Sequence, residues 1–343
     1  MNSIFLDTLN GKAHSRPPVW FMRQAGRVLP SYNALKDKHT FWELMRDPQL
    51  AADVTLLPIH DLGVDAAILF SDILVIPYAM GMGLDFTETG PVFDRPLKDV
   101  APDAVKLNPD AGKLNYIYEA IDAIIAKRPE NTPLIGFCGG PLTVLCYMIQ
   151  GLGTNHSFPD AINYFYKHKN QTKKLIDAVT DLSVEYLLKQ VEHKIDAFQL
   201  FETHAGLIPV ELYNELFMPA VKKMAAVAKA KNTPFIFFPK GLSTGLRYVT
   251  PEHADFVGID WQIEITEARR LVHPEIGLQG NLDPRLLYAN QATIQKTLET
   301  YIDFGSKNHN WIFNLGHGFM PGIPYENAQF LTNWVKNANW KRG

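Results

Sequence analysis

The sequence predicts an α/β protein, a (β/α)8 TIM barrel, and three observations carry that expectation. Short apolar runs of strand length recur along the chain, helix-like stretches separate them, and there are eight such runs, the number that closes a barrel. In order, they are VWFM at 19–22, AAILF at 66–70, LIGF at 134–137, AFQLF at 197–201, FIFF at 235–238, FVGI at 256–259, IGLQ at 276–279 and WIFNL at 311–315. Most are continuously apolar rather than alternating, as strands buried on both faces of a parallel sheet must be. Between them, FWELM from 41, KLNYIYEAIDAIIAK at 113–127 and TKKLIDAVTDLSVEYLLKQVEHK at 172–194 place apolar residues three and four apart, the spacing of a helix face. A doubly wound open sheet shares this alternation, but no GxGxxG follows the first run, which removes the best support for its dinucleotide-binding form.

Between the second and third runs, LDFTETGPVFDRP at 84–96 carries turn residues flanked by short alternating pieces, which predicts an inserted hairpin after strand two. No linker, composition shift, charge run or internal repeat marks a boundary, so a single domain spanning residues 1–343 is expected. Apolar residues at 46% and charged residues at 20% suffice for a sizeable core. A formal net charge of −3 supplies no global positive field for nucleic acid or an anionic membrane, so an anionic ligand has to be met by a local cluster. The two cysteines, Cys138 and Cys146, are too few for a disulfide framework, and neither a signal-peptide pattern nor an apolar run of membrane-spanning length occurs. A soluble, cytoplasmic protein follows as the expectation.

In a barrel of this kind, functional groups collect where strands end at their carboxyl side. The first run ends in Arg23-Gln24-Ala25-Gly26-Arg27, the second in Ser71-Asp72, the fourth in Glu202-Thr203-His204 and the eighth in Asn314-Leu315-Gly316-His317-Gly318. Two guanidinium groups four residues apart, with a glycine between them, suit a substrate bearing several carboxylates or phosphates, and equally suit two salt bridges to local acids. Asp72, flanked by apolar sequence, is placed either to stabilise positive charge or N–H donors in a partly desolvated setting or to cap a helix. His317 lies in a glycine-rich loop able to approach a ligand. Tyr147 falls on a helix that Pro141 is suited to begin, where a core tyrosine is the default reading. No HExxH, His-x-Cys, P-loop or GxSxG pattern occurs, and the cysteine spacing fits no usual zinc site, so no metal is expected.

These strand-end segments resemble the uroporphyrinogen decarboxylase family. PVWFMRQAGRVLPSY at 18–32 and GFCGGPLTVLCYMIQG at 136–151 look like its two signatures, and FSDILVIPYAMGM at 70–82, LQGNLDP at 278–284 and FNLGHGFMP at 313–321 are similar to further family segments. The resemblance implies a cofactor-independent carboxy-lyase of haem biosynthesis, usually a homodimer, which removes CO2 from the four acetates of uroporphyrinogen III to give coproporphyrinogen III. It implies that Arg23 and Arg27 bind substrate carboxylates, that Asp72 receives the pyrrole N–H groups, and that Tyr147 and His317 make polar contacts. Gln24, Ala25 and Gly26 share the binding loop, and Phe201 shapes an apolar floor. Thr203 stands where some members have Ser, and Val28 where many have an aromatic residue. Asp72, Arg23 and His317 are the expected catalytic residues, with Arg23 the first candidate for proton donor and His317 or a water the second. Two other readings use the same barrel: a corrinoid-related methyltransferase, against which the missing His-x-Cys motif speaks, and a non-catalytic tetrapyrrole carrier.

Overall fold

The computed structural model describes residues 3–87, 90–151 and 157–342. Its strands are β1 (Ala67–Ile68), β2 (Leu84–Thr87), β3 (Gly90–Phe93), β4 (Leu134–Gly139), β5 (Ala197–Glu202), β6 (Phe235–Pro239), β7 (Phe256–Gly258), β8 (Gly277–Gln279) and β9 (Trp311–Ile312). Seven of them form one curled sheet in the order β1-β4-β5-β6-β7-β8-β9, every neighbouring pair parallel. Parallel neighbours need a crossover, and the helical segments Asn115–Lys127, Lys169–Glu192 and Met218–Ala230 lie on three of these connections. The continuous apolar runs are explained by this arrangement: β4 and β6 are buried at every position, and the helices cover the outer face.

The first predicted strand, VWFM at 19–22, differs from expectation. Only Val19 pairs, by an isolated parallel bridge to Phe313, while the amide of Asp65 donates to the carbonyl of Val19 at 2.8 Å. The segment thus hydrogen-bonds to the chain at both edges of the sheet, because the amide of Phe313 also donates to the carbonyl of Pro18 at 2.9 Å. Past Val19 the backbone amides turn to side chains. Phe21 donates to Gln24 Oε1 at 3.0 Å and Met22 to Asn314 Oδ1 at 3.3 Å, so the ladder stops. Several other runs contribute fewer residues than they contain: AAILF supplies two to β1, and WIFNL two to β9.

β2 and β3 pair antiparallel, Leu84 opposite Phe93 and Thr87 opposite Gly90, in the segment read as a hairpin. Its turn residues, 88–89, lie outside the described residues. Inside the curl, a polar chain crosses an otherwise apolar core: Trp20 Nε1 donates to Gln279 Oε1 and Gln279 Nε2 to Gln199 Oε1, both at 3.1 Å. These bonds satisfy both ends of the Gln279 amide, while Gln199 Nε2 is left buried without a partner among the described residues.

Candidate active site

The carboxyl ends of the parallel strands bring most of the singled-out residues into one mouth. Arg23 adopts a left-handed backbone, φ 59°, which turns its side chain out of the strand direction. The side chain lies across Gly318, where a Cβ would come within 2.5 Å of Arg23 Cδ, so only glycine leaves room for it. Arg23 and Arg27 are both exposed, and among the described residues neither forms an ion pair. The salt-bridged reading of the two arginines is therefore not what the structure shows. Gln24 departs from the expected substrate-binding role: it is fully buried, accepting from Phe21 and donating to the carbonyl of Ala66 at 2.9 Å, so its side chain fastens the loop and presents nothing to the mouth. Ala25 and Gly26 are half-buried in that loop.

Asp72 follows β1 at the same mouth. One carboxylate oxygen, Oδ1, accepts from the amide of Leu74 at 2.8 Å, a local turn that fixes the side chain. It is not the cap of the short helix Val75–Ala79, whose first turn has no side-chain cap. Oδ2 carries no hydrogen bond from a described residue. Although the side chain keeps some solvent contact, loss of solvation raises its pKa to about 6, against the opposing pull of the Leu74 amide and the Arg23 charge.

Tyr147 lies on the helix Pro141–Gln150, which does begin at Pro141. Burial raises its pKa, the Asp72 charge adds to that and Arg23 opposes it, which places the phenol within electrostatic reach of both. Its ring packs edge-on to Phe158 at 5.1 Å and lies 5.7 Å from the His204 ring. Across the mouth, His317 stacks on Trp261 at 6.3 Å and 25°. Burial chiefly, with help from the Arg23, Lys240 and His204 charges, lowers its pKa to about 3, so at neutral pH it is an uncharged imidazole. Phe201, half-buried at the end of β5, meets Phe137 edge-on at 5.5 Å and Phe238 at 6.3 Å, an aromatic base to the mouth. Thr203 follows it, also half-buried.

Two residues matter more than strand-end position suggests. Glu202, fully buried at the end of β5, accepts from the amides of Leu142 (3.1 Å) and Thr143 (2.7 Å), the Thr143 hydroxyl (2.6 Å) and the Tyr213 hydroxyl (3.4 Å). Burial raises its pKa to about 7, with these donors pulling the other way. It anchors the N-terminus of the helix that carries Tyr147. Asn314 orders the opposite wall, its Oδ1 accepting from both Met22 and Leu315. Among the described residues, no group of three or more His, Cys, Asp or Glu side chains is placed to hold a metal ion.

Fold and mouth define a parallel α/β protein whose strand ends present unpaired cations, a raised carboxylate and a neutral imidazole over an aromatic base, the equipment for a polyanionic ligand with an apolar body. The family model described as uroporphyrinogen decarboxylase (URO-D) matches residues 1–338. Proteins named uroporphyrinogen decarboxylase from Pelobacter propionicus (39% identical over 340 residues, 99% of each chain) and Trichlorobacter lovleyi (40% over 338 residues, 98% of each) are similar along their full length. The chain belongs to the uroporphyrinogen decarboxylase family. Among solved structures, a methyltransferase from Methanosarcina mazei aligns over 96% of both chains with TM-score 0.74 at 18% identity, a likeness of fold.

Proposed function

We infer that this chain is a cofactor-independent carboxy-lyase that removes CO2 from the four acetate side chains of uroporphyrinogen III, giving coproporphyrinogen III, on a single-domain (β/α)8 barrel. In that architecture the Pro18–Val19 segment is the first member, reduced to one bridge between β9 and the chain entering β1. The observation that carries the reading is a fixed, raised Asp72 within electrostatic reach of the unpaired Arg23, in a chain of this family.

Breaking the acetate C–C bond leaves an electron pair that needs a sink. Protonation of the adjacent pyrrole carbon makes the ring cationic; the C–C bond then breaks, its electrons neutralise the ring as an exocyclic methylene, and CO2 departs. Protonation of the methylene carbon gives the methyl group, and loss of the first proton restores the pyrrole, for a net uptake of one proton per CO2. Asp72 supports each stage. Its free Oδ2 accepts the pyrrole N–H groups, and its negative charge stabilises the transient cation. Arg23 and Arg27 pair with peripheral carboxylates through their guanidinium forks. The Tyr147 hydroxyl and the neutral His317 imidazole orient the macrocycle as hydrogen-bonding groups, and Phe201 with its aromatic neighbours supports its face. A His317 that is uncharged at neutral pH is a poor acid, which leaves Arg23 or a water as proton donor.

Anaerobic incubation of the purified protein with freshly reduced uroporphyrinogen III, followed by oxidation and chromatographic counting of carboxylates, tests the reading. Successive appearance of seven-, six-, five- and four-carboxylate porphyrins is expected. Tetrapyrrole binding without product would establish the carrier reading instead.

A further inference from the structure

We infer that Lys240 is a third cationic anchor for the substrate's peripheral carboxylates, set across the mouth from Arg23 and Arg27. The inference rests on the decarboxylase reading and deepens it. Counting the Pro18–Val19 segment as first around the mouth, β6 is fifth of eight, and Lys240 follows it directly, on the side opposite the two arginines. Its backbone is fixed there. The Lys240 amide donates to the carbonyl of Glu202 at 3.1 Å, and its carbonyl accepts from Gly206 at 3.0 Å. The next residue, Gly241, takes φ +80° and packs so closely that a Cβ on Gly206 would lie 2.6 Å from its carbonyl oxygen.

The half-buried Lys240 side chain carries Nζ to 5.4 Å from the centre of the Trp261 ring, and among the described residues it has no ion-pair partner. Arg285 approaches the same ring at 5.2 Å, but its charge is met by Asp283 through contacts of 2.7–3.1 Å. Lys240 is therefore the source of net positive charge on this wall. That charge reaches the site, because it depresses the basicity of His317 alongside Arg23. A macrocycle with acetates and propionates around its whole rim, held by arginines from one segment only, would leave a carboxylate on the far side desolvated without a partner, which is costly. A lysine over a tryptophan shelf supplies both the countercharge and an apolar ledge for the arm that bears the carboxylate.

The test compares Lys240→Met and Lys240→Arg with the wild-type protein in anaerobic initial-rate assays on uroporphyrinogen III at several ionic strengths. Lys240→Met is expected to raise KM about tenfold, equivalent to about 1.4 kcal/mol, with kcat within about twofold and a shallower dependence of KM on salt. Lys240→Arg is expected to restore KM to within about threefold of wild type. An unchanged KM in Lys240→Met overturns the anchor, as does an equal loss in both variants accompanied by a lowered melting temperature, which would mark a structural lysine. A wild-type protein that releases no CO2 overturns the decarboxylase reading itself, separately from the lysine.

Discussion

The two rims of the parallel sheet treat charge in opposite ways. Where strands begin, acids fasten neighbouring strands. Asp65 accepts from Arg16 at 2.6 and 2.8 Å and from the amide of Val19, Asp196 accepts from Arg128 and from the amide of Leu134, and Asp255 accepts from the amide of Phe235. The device repeats: an aspartate just before one strand takes the first amide of its neighbour, pinning the register of adjacent strands. Where strands end, Arg23, Arg27 and Lys240 stand without ion pairs among the described residues, and Asp72 keeps one oxygen unbonded. Strand-pinning aspartates mark the first rim, and cations left without ion pairs mark the second, although Arg285 there is met by Asp283. Glu202 sharpens the contrast. It shares Asp72's raised pKa, but its four donors occupy it, so it holds a helix in place while Asp72 faces the mouth.

The largest expected effect comes from Asp72→Asn, which removes charge and keeps the oxygen that accepts from Leu74. Turnover should fall on the order of a thousandfold. Stability should move the other way. Folding raises the Asp72 pKa from 3.8 to about 6, so burying this group costs nothing below about pH 4, and the cost grows between about pH 4 and 6 and is fully present above that. The Asn variant should therefore melt higher than wild type at pH 7 to 8, by as much as about 3 kcal/mol. Near-normal turnover, or a lower melting temperature, would dissolve the distinction between the rims.

Asp196→Ala inverts the experiment. It strips a mostly buried acid from Arg128 and from the amide of Leu134, and should cost about 2–4 kcal/mol of stability. Its kcat per folded molecule should match wild type, read by rate assays alongside denaturant unfolding. Smaller again is Arg27→Ala, expected to raise KM about tenfold with melting unchanged, since the guanidinium is exposed and unpaired. A KM equal to wild type with a lowered melting temperature would make Arg27 structural.

Much of this contrast is legible in the sequence. Continuous apolar runs located every strand of the sheet, because burial on both faces admits little else, and the polar residues just beyond them marked the mouth. Strand extent was harder to read. VWFM looks like any other run, yet Gln24, three residues on from Phe21, and Asn314, far away in the chain, capture the amides that would continue the ladder. Gln24 itself sits within a conspicuous loop, but side-chain direction is settled by tertiary contact with Ala66. Glu202 and Lys240 likewise follow apolar runs as plainly as Asp72 does. Only the count of donors around one, and the lack of an ion-pair partner for the other among the described residues, separate the two.

The pH dependence of kcat/KM for decarboxylation of uroporphyrinogen III by the wild-type protein tests most directly whether the ionised Asp72 is the working group. A profile level from pH 8 to about 6.5 and falling about tenfold per unit below about 6 is predicted, with no inflection from His317, whose pKa is lowered to about 3. A rate that stays level or rises from pH 6 down to pH 5 would contradict it.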